Sequence, residues 1–453
     1  MNIIKPGVSN ISKLVFKKEF DADKEYRCSV HTYLYEENGK YTIKHTLTKE
    51  IIELTADERN TFLELREHPL HYAKIKDMAE FIRKRYIVEA DHDEAKQYKQ
   101  SVFLLKTMSG EKKGIGTYVI FPTTGCNARC VYCYEEGYAV KTMNPETAAR
   151  LADYICETRH NDTIMLRWFG GEPTAASHII SSICKTLRQR EVPYKSNMVT
   201  NASLITKELA RESKKLWHLE KVQVSLDGAR NDYEIRKNYT DPKKYNYDVV
   251  MRAIHYLVDE GIKVYLRVNA DLDNTANIPD FLHDIKNEFG DNEYISLYIS
   301  PLFQAQQSEQ CLELYKEVFR LTDIQKELSI PYGTRTEKSL RLRYCMADSL
   351  DKSIVITPDG SFNSCEHLTE KNSWGNIFDG ITDKAKYDEL SAAAPIDEKC
   401  AKCPFLPECT PFYKNGCPSW FDKCREYHCM RTDYEIRDLL KMREANGGSA
   451  ENI

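Results

Sequence analysis

Alternating apolar and polar residues predict strands near the start of the chain. Two such runs, within HTYLYEENGKYTIKHTL, flank Asn38 and Gly39, a pair that favours a tight hairpin turn. A helical pattern follows in LTADERNTFLEL, where Thr55 and Glu58 have the spacing of a capping box. A second helix is expected over YAKIKDMAEFIRKRY. Residues 1–110 are therefore expected to form a small α+β module.

Strand and helix patterns alternate with regularity through residues 111–330. Six apolar runs are predicted as strands, at 116–122, 163–169, 195–200, 221–226, 263–269 and 294–300. Helical patterns lie between them, so the region is expected to form a parallel α/β sheet, either open or curled into a partial barrel. In such folds ligands bind at the carboxyl ends of the strands, so the residues directly after each strand are candidate site residues.

The pattern is irregular in residues 331–453, where proline, glycine and cysteine interrupt it too often for a large apolar core. Bound metal is expected to supply the missing stability. A helix over TDYEIRDLLKMREA is predicted near the end of the chain.

Composition and charge indicate the class of protein and its location in the cell. The 453 residues are 42% hydrophobic and 29% charged, which is typical of globular proteins and excludes intrinsic disorder. A formal net charge of −5 gives no reason to expect nucleic acid as a partner. No apolar run is long enough to cross a membrane, and the first residues lack the apolar region of a signal peptide. A cytoplasmic protein is therefore expected.

Fifteen cysteines are unusual for such a chain. In a reducing cytosol this number favours metal binding or catalysis over disulfides. Four of them are scattered and are expected to be small buried hydrophobic residues: Cys28, Cys156, Cys184 and Cys311. The others fall into two groups, one after the first strand of the α/β region and one after residue 344.

The first group is a triplet, Cys126, Cys130 and Cys133, spaced C-x-x-x-C-x-x-C. Three thiolates on one loop can hold three irons of a 4Fe–4S cluster, and the missing fourth ligand leaves one iron open. A zinc site is the alternative, but structural zinc sites are tetrahedral and closed, so they need a fourth ligand from elsewhere.

With Tyr132 before its last cysteine, the triplet resembles the signature of the radical S-adenosylmethionine (SAM) superfamily. The resemblance covers about residues 114–330. It implies that the open iron binds SAM and that one electron, from a flavodoxin or ferredoxin, cleaves SAM to methionine and a 5′-deoxyadenosyl radical. That radical abstracts a hydrogen atom from the substrate, while the protein supplies position and excludes water. A partial (β/α)6 barrel is the implied fold.

The segments after the other strands also resemble that family. The second strand is followed by Gly170, Gly171, Glu172 and Pro173, similar to the family's GGEP element. The glycines are expected to let a ligand approach the backbone, and the resemblance implies that this element contacts the SAM ammonium group. Later strands supply further expected SAM contacts: Asn201, Ser225, Asp227, Arg236 and Asn269. Arg236 is expected to pair with the SAM carboxylate. Ala202 stands where the family usually has glycine.

The second cysteine group resembles the SPASM extension of radical SAM enzymes, which binds two auxiliary 4Fe–4S clusters. The resemblance rests on Gly360 and on cysteines 345, 365, 400, 403 and 409. It assigns Cys345, Cys365 and Cys417 to the first cluster. The second cluster is assigned Cys400, Cys403, Cys409 and either Cys424 or Cys429. Spacing alone equally permits zinc ribbons.

Two departures from the SPASM pattern concern the first auxiliary cluster. The interval from Cys409 to Cys417 is longer than usual, and Ser339 stands where some relatives have a cysteine. The cluster is therefore expected either to have an open iron, which suits a substrate thiolate, or to take Cys424 as a ligand. Glu366 follows Cys365 at the position of a catalytic base in sulfatase-maturing relatives. A surface carboxylate is the alternative interpretation of Glu366.

The resemblance implies a peptide substrate. The favoured hypothesis is maturation of a ribosomally made precursor peptide, with a thioether crosslink as the product, as in sactipeptides or ranthipeptides. The N-terminal module would bind a leader peptide by strand addition, although a structural cap is also possible for it. The alternatives are an enzyme that oxidises a sulfatase cysteine or serine to formylglycine and a non-catalytic iron–sulfur or zinc-binding protein.

Overall fold

The computed structural model describes residues 2–8, 11–12, 21–108, 113–160, 162–302, 304–305, 309–332, 350–367, 373–391, 398–409 and 423–445. The contacts group these residues into two compact units. The described residues up to 108 belong to one unit together with 398–409 and 423–445, and the described residues of 113–332 and 350–391 form the other.

Short antiparallel strands and helices make up the N-terminal part of the first unit. Its strands are β1 (Asn2–Lys5), β2 (Glu25–Cys28), β3 (Thr32–Glu37), β4 (Lys40–His45), β5 (Glu50–Leu54), β6 (Leu70–His71) and β7 (Ile87–Glu89). Its helices are α1 (Ala56–Glu67), α2 (Ala79–Arg83) and α3 (Glu94–Met108). The strands form two sheets, with the orders β1-β5-β4-β3 and β6-β2-β7.

The predicted hairpin is confirmed. Strands β3 and β4 pair on either side of Asn38 and Gly39, which have φ values of 52° and 73°. Two successive residues with positive φ are what a type I′ turn requires. The predicted capping box is also confirmed, since the Thr55 side chain accepts from the Glu58 amide and the Glu58 side chain accepts from the Thr55 amide.

The second predicted helix is wrong over most of its length. Residues Tyr72–Lys74 and Lys76–Met78 form single 3₁₀ turns, and only α2 is α-helical. The backbone leaves helical geometry at Ile75, where φ is −127° and ψ is 27°. This break allows Ile75 and Met78 to be buried in the same apolar cluster as Phe81 and Ile82.

A large sheet organises the second unit. Its first six strands along the chain are β8 (Thr117–Ile120), β9 (Ile164–Trp168), β10 (Tyr194–Thr200), β11 (Leu219–Ser225), β12 (Lys263–Ala270) and β13 (Ile295–Pro301). The intervening helices are α4 (Pro145–Thr158), α5 (Ser177–Gln189), α6 (Lys207–Lys215), α7 (Arg230–Lys237), α8 (Tyr247–Asp259) and α9 (Ile278–Phe289), and α10 (Cys311–Glu327) follows β13. Neighbouring strands are parallel and lie in chain order, which confirms the six expected β–α repeats.

Burial alternates along these strands. In β9, Ile164, Leu166 and Trp168 are at most 1% exposed and belong to the core shared with the helices. Met165 and Arg167 between them are only half-buried. One face of the sheet is therefore packed against helices, whereas the other face and the carboxyl ends of the strands carry the more accessible side chains.

The remaining elements divide between the two units. Strand β14 (Ser353–Ile356) extends the large sheet parallel to β8, and β15 (Phe362–Asn363) pairs with β14. The short strands β16 (Gly375–Asn376) and β17 (Gly380–Ile381) and helix α11 (Lys384–Ser391) follow. The first unit gains α12 (Glu398–Ala401) and α13 (Cys424–Ala445).

Residues 331–453 were expected to form one C-terminal domain, but their described parts are shared between the two units. The reason is that β14 pairs with β8, whereas Ile436 of α13 packs in an apolar cluster with Ile4, Tyr35 and Ile51. The domain boundaries at 110/111 and 330/331 stay predictions. Among the described residues, none of the helices is both long and apolar enough to span a membrane.

We expect the Thr55→Ala variant to weaken the start of α1, because the Glu58 amide loses its acceptor, the Thr55 side chain. The loss is about 1 kcal/mol, which corresponds to roughly fivefold faster hydrogen exchange at the amides of the first helical turn. Mass spectrometry of peptides covering residues 55–60 measures this rate. An unchanged rate would contradict the role of the capping box.

Candidate active site

The cysteine triplet lies on the loop that follows β8. The three cysteines are free thiols and are half-buried. Backbone hydrogen bonds fix the loop against the end of α7: the Arg129 amide donates to the Asn238 carbonyl at 2.9 Å, and the Val131 amide donates to the Arg236 carbonyl at 3.1 Å. The predicted metal-binding loop is thus attached to the segment that carries the predicted SAM-binding arginine.

Gly170 and Gly171 lie against the backbone just before the triplet. A Cβ on Gly170 would be 2.3 Å from the Thr123 carbonyl oxygen, and one on Gly171 would be 2.5 Å from the Gly125 carbonyl oxygen. The expected reason for these glycines was close approach of a ligand. The observed contact is instead with the chain's own backbone, so the two glycines position the start of the cysteine loop.

Glu172 is completely buried and binds protein groups through both carboxylate oxygens. One oxygen accepts from the Thr200 hydroxyl at 2.7 Å and from the Thr174 amide at 3.0 Å, and the other accepts from the Asn201 amide at 2.7 Å. Pro173 beside it is buried at the start of a 3₁₀ turn. The Glu172 side chain therefore braces two strand ends. The role of Glu172 in SAM binding stays a prediction. Both of its carboxylate oxygens already accept hydrogen bonds from protein groups.

Asn201 connects Glu172 to the triplet. Its Nδ2 atom lies 2.9 Å from Asn127 Oδ1 and 3.8 Å from Cys126 Sγ. Its Oδ1 atom accepts from the Ser203 hydroxyl at 2.7 Å. Ala202, which replaces the family's glycine, has a φ of 63°, a left-handed conformation that glycine adopts more easily. Ala202 thus adopts a conformation that favours glycine, the residue expected at this position.

A buried ionic network lies beneath Tyr132. The Asp227 carboxylate is fully buried and lies 3.1 Å from Lys237 Nζ. The Tyr132 hydroxyl donates to Asp227 and accepts from Lys237 at 2.8 Å, while Asn269 Nδ2 donates to Asp227 at 2.7 Å. Burial lowers the pKa of Lys237, but the adjacent Asp227 and Tyr132 raise it well above its ordinary value. The ammonium is therefore charged at neutral pH.

Arg236 is 8% exposed and forms a two-pronged ion pair with Asp271, with N···O distances of 2.7 and 3.2 Å. Its Nε atom is buried and has no hydrogen-bond partner among the described residues. A buried donor without a partner is rare in native proteins and suits a ligand carboxylate. Ser225, also predicted as a SAM contact, is half-buried at the end of β11.

The triplet fits a cluster better than a single ion. In the described ranges, no group of three or more histidine, cysteine, aspartate or glutamate side chains is placed to hold one metal ion. A 4Fe–4S cluster does not require the three sulfur atoms to meet at one ion, because each thiolate binds a different iron and the sulfurs stay further apart. Burial, followed by the charge of Glu172, raises the pKa of Cys126 to about 12, so iron binding must displace its proton.

Sequence reasoning missed a group of side chains beside Cys365. The ring of Tyr134 lies 4.3 Å from the ring of His367, and the Tyr134 hydroxyl donates to Glu135 at 3.0 Å. Burial raises the pKa of Glu135 to about 7. Glu366, the predicted base, is half-buried next to the Cys365 thiol, with an S···O distance of 3.7 Å. Only the position of Glu135, two residues after Cys133, could have signalled it.

The C-terminal cysteines are split between the units. Cys365 lies in the unit of the large sheet, and Cys400, Cys403, Cys409, Cys424 and Cys429 lie in the first unit. All six are half-buried. Cys345 and Cys417 lie outside the described residues, as does Ser339. Of the scattered cysteines, Cys28, Cys184 and Cys311 are buried as predicted, and Cys156 is half-buried.

The sequence of this chain is similar to those of known proteins over the region that contains the cysteine triplet. Residues 120–285 match the model of the radical SAM superfamily. The chain is 27% identical over 321 residues to the antilisterial bacteriocin subtilosin biosynthesis protein AlbA of Bacillus subtilis, covering 65% of this chain and 66% of AlbA. It is 29% identical over 157 residues to Fe-coproporphyrin III synthase of Methanosarcina barkeri, covering 35% of this chain. The chain spans 37% of that synthase, so both matches leave a third or more of the relative uncovered.

Solved structures share the fold. The structure of anSMEcpe with bound AdoMet superposes with a TM-score of 0.57 at 15% identity, covering 73% of this chain and 99% of anSMEcpe. Streptococcus suis SuiB bound to its precursor peptide SuiA superposes with a TM-score of 0.51 at 14% identity, covering 87% of this chain and 98% of SuiB. At such low identity these similarities establish the fold alone.

We expect Gly171→Ala to displace the cysteine loop, because its new methyl group collides with the Gly125 carbonyl. The variant should bind about four fewer irons per chain than the wild type after anaerobic reconstitution. Gly137→Ala is the control for backbone strain without a collision, since Gly137 has a φ of 84° and a Cβ there meets no atom within 4 Å. Equal iron contents in the two variants would contradict the positioning role of Gly171.

Replacing Lys237 by methionine should destabilise the second unit by about 3–5 kcal/mol, because Asp227 then keeps a buried charge without its ion-pair partner. Chemical denaturation measures the free energy of unfolding. Lys195→Met, which breaks the exposed pair with Glu220, should cost under about 1 kcal/mol. Equal losses of stability in the two variants would mean that the buried Asp227–Lys237 pair stabilises the second unit no more than an exposed pair does.

Proposed function

We propose that this chain, an enzyme of the radical SAM superfamily, modifies a ribosomally made precursor peptide and forms a thioether crosslink in it. The observation that carries the radical SAM activity is the placement of three half-buried thiols beside an arginine whose buried Nε atom has no partner in the part of the chain that the structure describes. A cluster and SAM, when bound at this site, supply the radical that abstracts hydrogen from the substrate.

The residues of this chain would hold the two cofactors from several strand ends. Cys126, Cys130 and Cys133 would bind the cluster, with Asn201 directing its amide toward Cys126. Arg236 would bind the SAM carboxylate through Nε, and Tyr132 and Asn269 would line the space for the nucleoside. Because the hydrogen bonds of Asp227 and Lys237 hold Tyr132 and Asn269, this wall is rigid before SAM binds.

Support for a peptide substrate comes from the relatives. AlbA is a bacteriocin biosynthesis protein, and SuiB has been solved with its precursor peptide. In the N-terminal sheet, β3 is an edge strand, and a leader peptide could extend such an edge by strand addition. Arg66 already donates to the Thr32 carbonyl at 3.2 Å, so the addition would start beyond that residue.

Two auxiliary 4Fe–4S clusters complete the proposal. Cys365 lies in the unit of the active site, and an open iron at its cluster would suit a substrate thiolate. The thiolate sulfur would bond to the substrate carbon that has lost its hydrogen atom to the 5′-deoxyadenosyl radical, and the auxiliary cluster would accept the one electron that this bond formation releases. Glu366, beside Cys365, is the proposed proton acceptor. A flavodoxin or ferredoxin is the proposed electron donor.

The radical SAM activity is tested by 5′-deoxyadenosine formation in anaerobic, reduced, reconstituted protein with added SAM. We expect product from the wild type and none from Cys126→Ala, because the cluster loses a ligand. Product from both proteins would mean that the triplet does not hold the reactive cluster. Iron-loaded wild type without product under several reductants would contradict the proposed activity.

The proposed role of Arg236 is tested with a pair of variants. Arg236→Lys should raise the KM for SAM roughly tenfold or more, because lysine lacks the Nε donor. Asp271→Asn should leave the KM unchanged or lower it, because it frees the guanidinium. If both variants raised the KM equally, Arg236 would serve only its ion pair with Asp271.

A further inference from the structure

One buried lysine joins the two cysteine-bearing segments of the first unit. Lys44 on β4 places Nζ 2.8 Å from Glu408 Oε1 and 2.8 Å from Glu435 Oε2. The Lys44 and Glu408 side chains are only 3% and 4% exposed. Glu408 directly precedes Cys409, and Glu435 lies on α13, which begins at Cys424 and carries Cys429. A single ammonium group thus binds both segments.

The loop that carries Cys400, Cys403 and Cys409 also contacts β3 and the turn between β4 and β5. Lys49 Nζ lies 2.9 Å from Glu408 Oε1, and the Thr46 hydroxyl donates to the Pro404 carbonyl. Phe405 is fully buried, with its ring 5.2 Å from that of Tyr33 on β3. Because this loop contains only one helical turn, α12, side-chain contacts rather than regular structure fix its position.

Helix α13 is attached to the sheet of β1, β5, β4 and β3. Lys5 Nζ lies 2.7 Å from Glu435 Oε1, and the Tyr33 hydroxyl donates to Asp433 at 2.7 Å. Tyr33 therefore resembles Lys44 in contacting both segments. Through Lys44 and Tyr33, the sheet of β1, β5, β4 and β3 holds two segments whose cysteines are up to 29 positions apart in the sequence, from 400 to 429.

We infer that Lys44 is a positioning residue for the second auxiliary cluster. It fixes the loop of Cys400, Cys403 and Cys409 relative to the helix of Cys424 and Cys429. A cluster binds only where its thiolates are held at fixed separations, and ion pairs shielded from water hold geometry well. The inference rests on the proposed function, which assigns a cluster to these cysteines. It implies that the N-terminal module is part of the cluster's support, whatever peptide it binds.

The test compares variants of the full chain after anaerobic reconstitution. Lys44→Met should lose about four irons per chain and the EPR signal of one auxiliary cluster. Lys44→Arg, which keeps the charge, should retain both. Lys84→Met is the matched control, because Lys84 forms a buried ion pair of 2.8 Å with Glu50 in the same module. That control should keep all its iron.

Glu435→Gln provides a milder second variant if Lys44→Met does not fold. Glu435 is 30% exposed, and its loss removes only the link to α13. We expect a shifted reduction potential or altered g-values of one auxiliary cluster. Full iron content and unchanged spectra in both variants would overturn the inference, as would an equal loss of iron in Lys84→Met. If Cys403→Ala lost no iron, the proposed auxiliary cluster itself would be wrong, which distinguishes the two failures.

Discussion

The site depends on a carboxylate that is kept away from water at the end of β11. Asp227 is fully buried, and a charge in that position is tolerable only with a charged partner and complete hydrogen bonding. Lys237, Tyr132 and Asn269 satisfy it, and each comes from a different segment: α7, the cysteine loop and β12. Ion pairing and burial therefore fix three parts of the site relative to one another. A rigid, water-excluding wall of this kind is what radical chemistry requires of a protein.

Glu172 performs the same function on the other side of the cysteine loop. It is also fully buried, and its hydrogen bonds join the ends of β9 and β10 through Thr200 and Asn201. Gly170 and Gly171 beside it admit the backbone of the loop at distances that any side chain would prevent. The loop is thus held between two buried carboxylates. The Cys126 thiol of this loop lies 3.8 Å from the side-chain amide of Asn201, directly after β10.

Much of this architecture was predictable from the sequence. The six parallel strands were predicted because buried strands give long apolar runs, and the hairpin because Asn38 and Gly39 suit a type I′ turn. The interrupted helix after residue 71 was not predictable, since helical periodicity does not report the break at Ile75. Lys237 and Glu135 were missed because a charged residue beside a motif is usually exposed. Their burial follows from tertiary packing, which no local pattern encodes.

The division of the C-terminal cysteines between two units could not be predicted from the spacing of the cysteines in the sequence. The central claim, however, concerns the triplet at Cys126, Cys130 and Cys133. EPR spectra of the reduced, reconstituted protein before and after addition of SAM test it most directly, with Cys130→Ala as the reference. We predict that SAM shifts the g-values of one cluster in the wild type and of none in the variant, because SAM binds the open iron of the triplet cluster and the variant loses a ligand of that cluster. Identical spectra with and without SAM in an iron-loaded wild type would contradict the account.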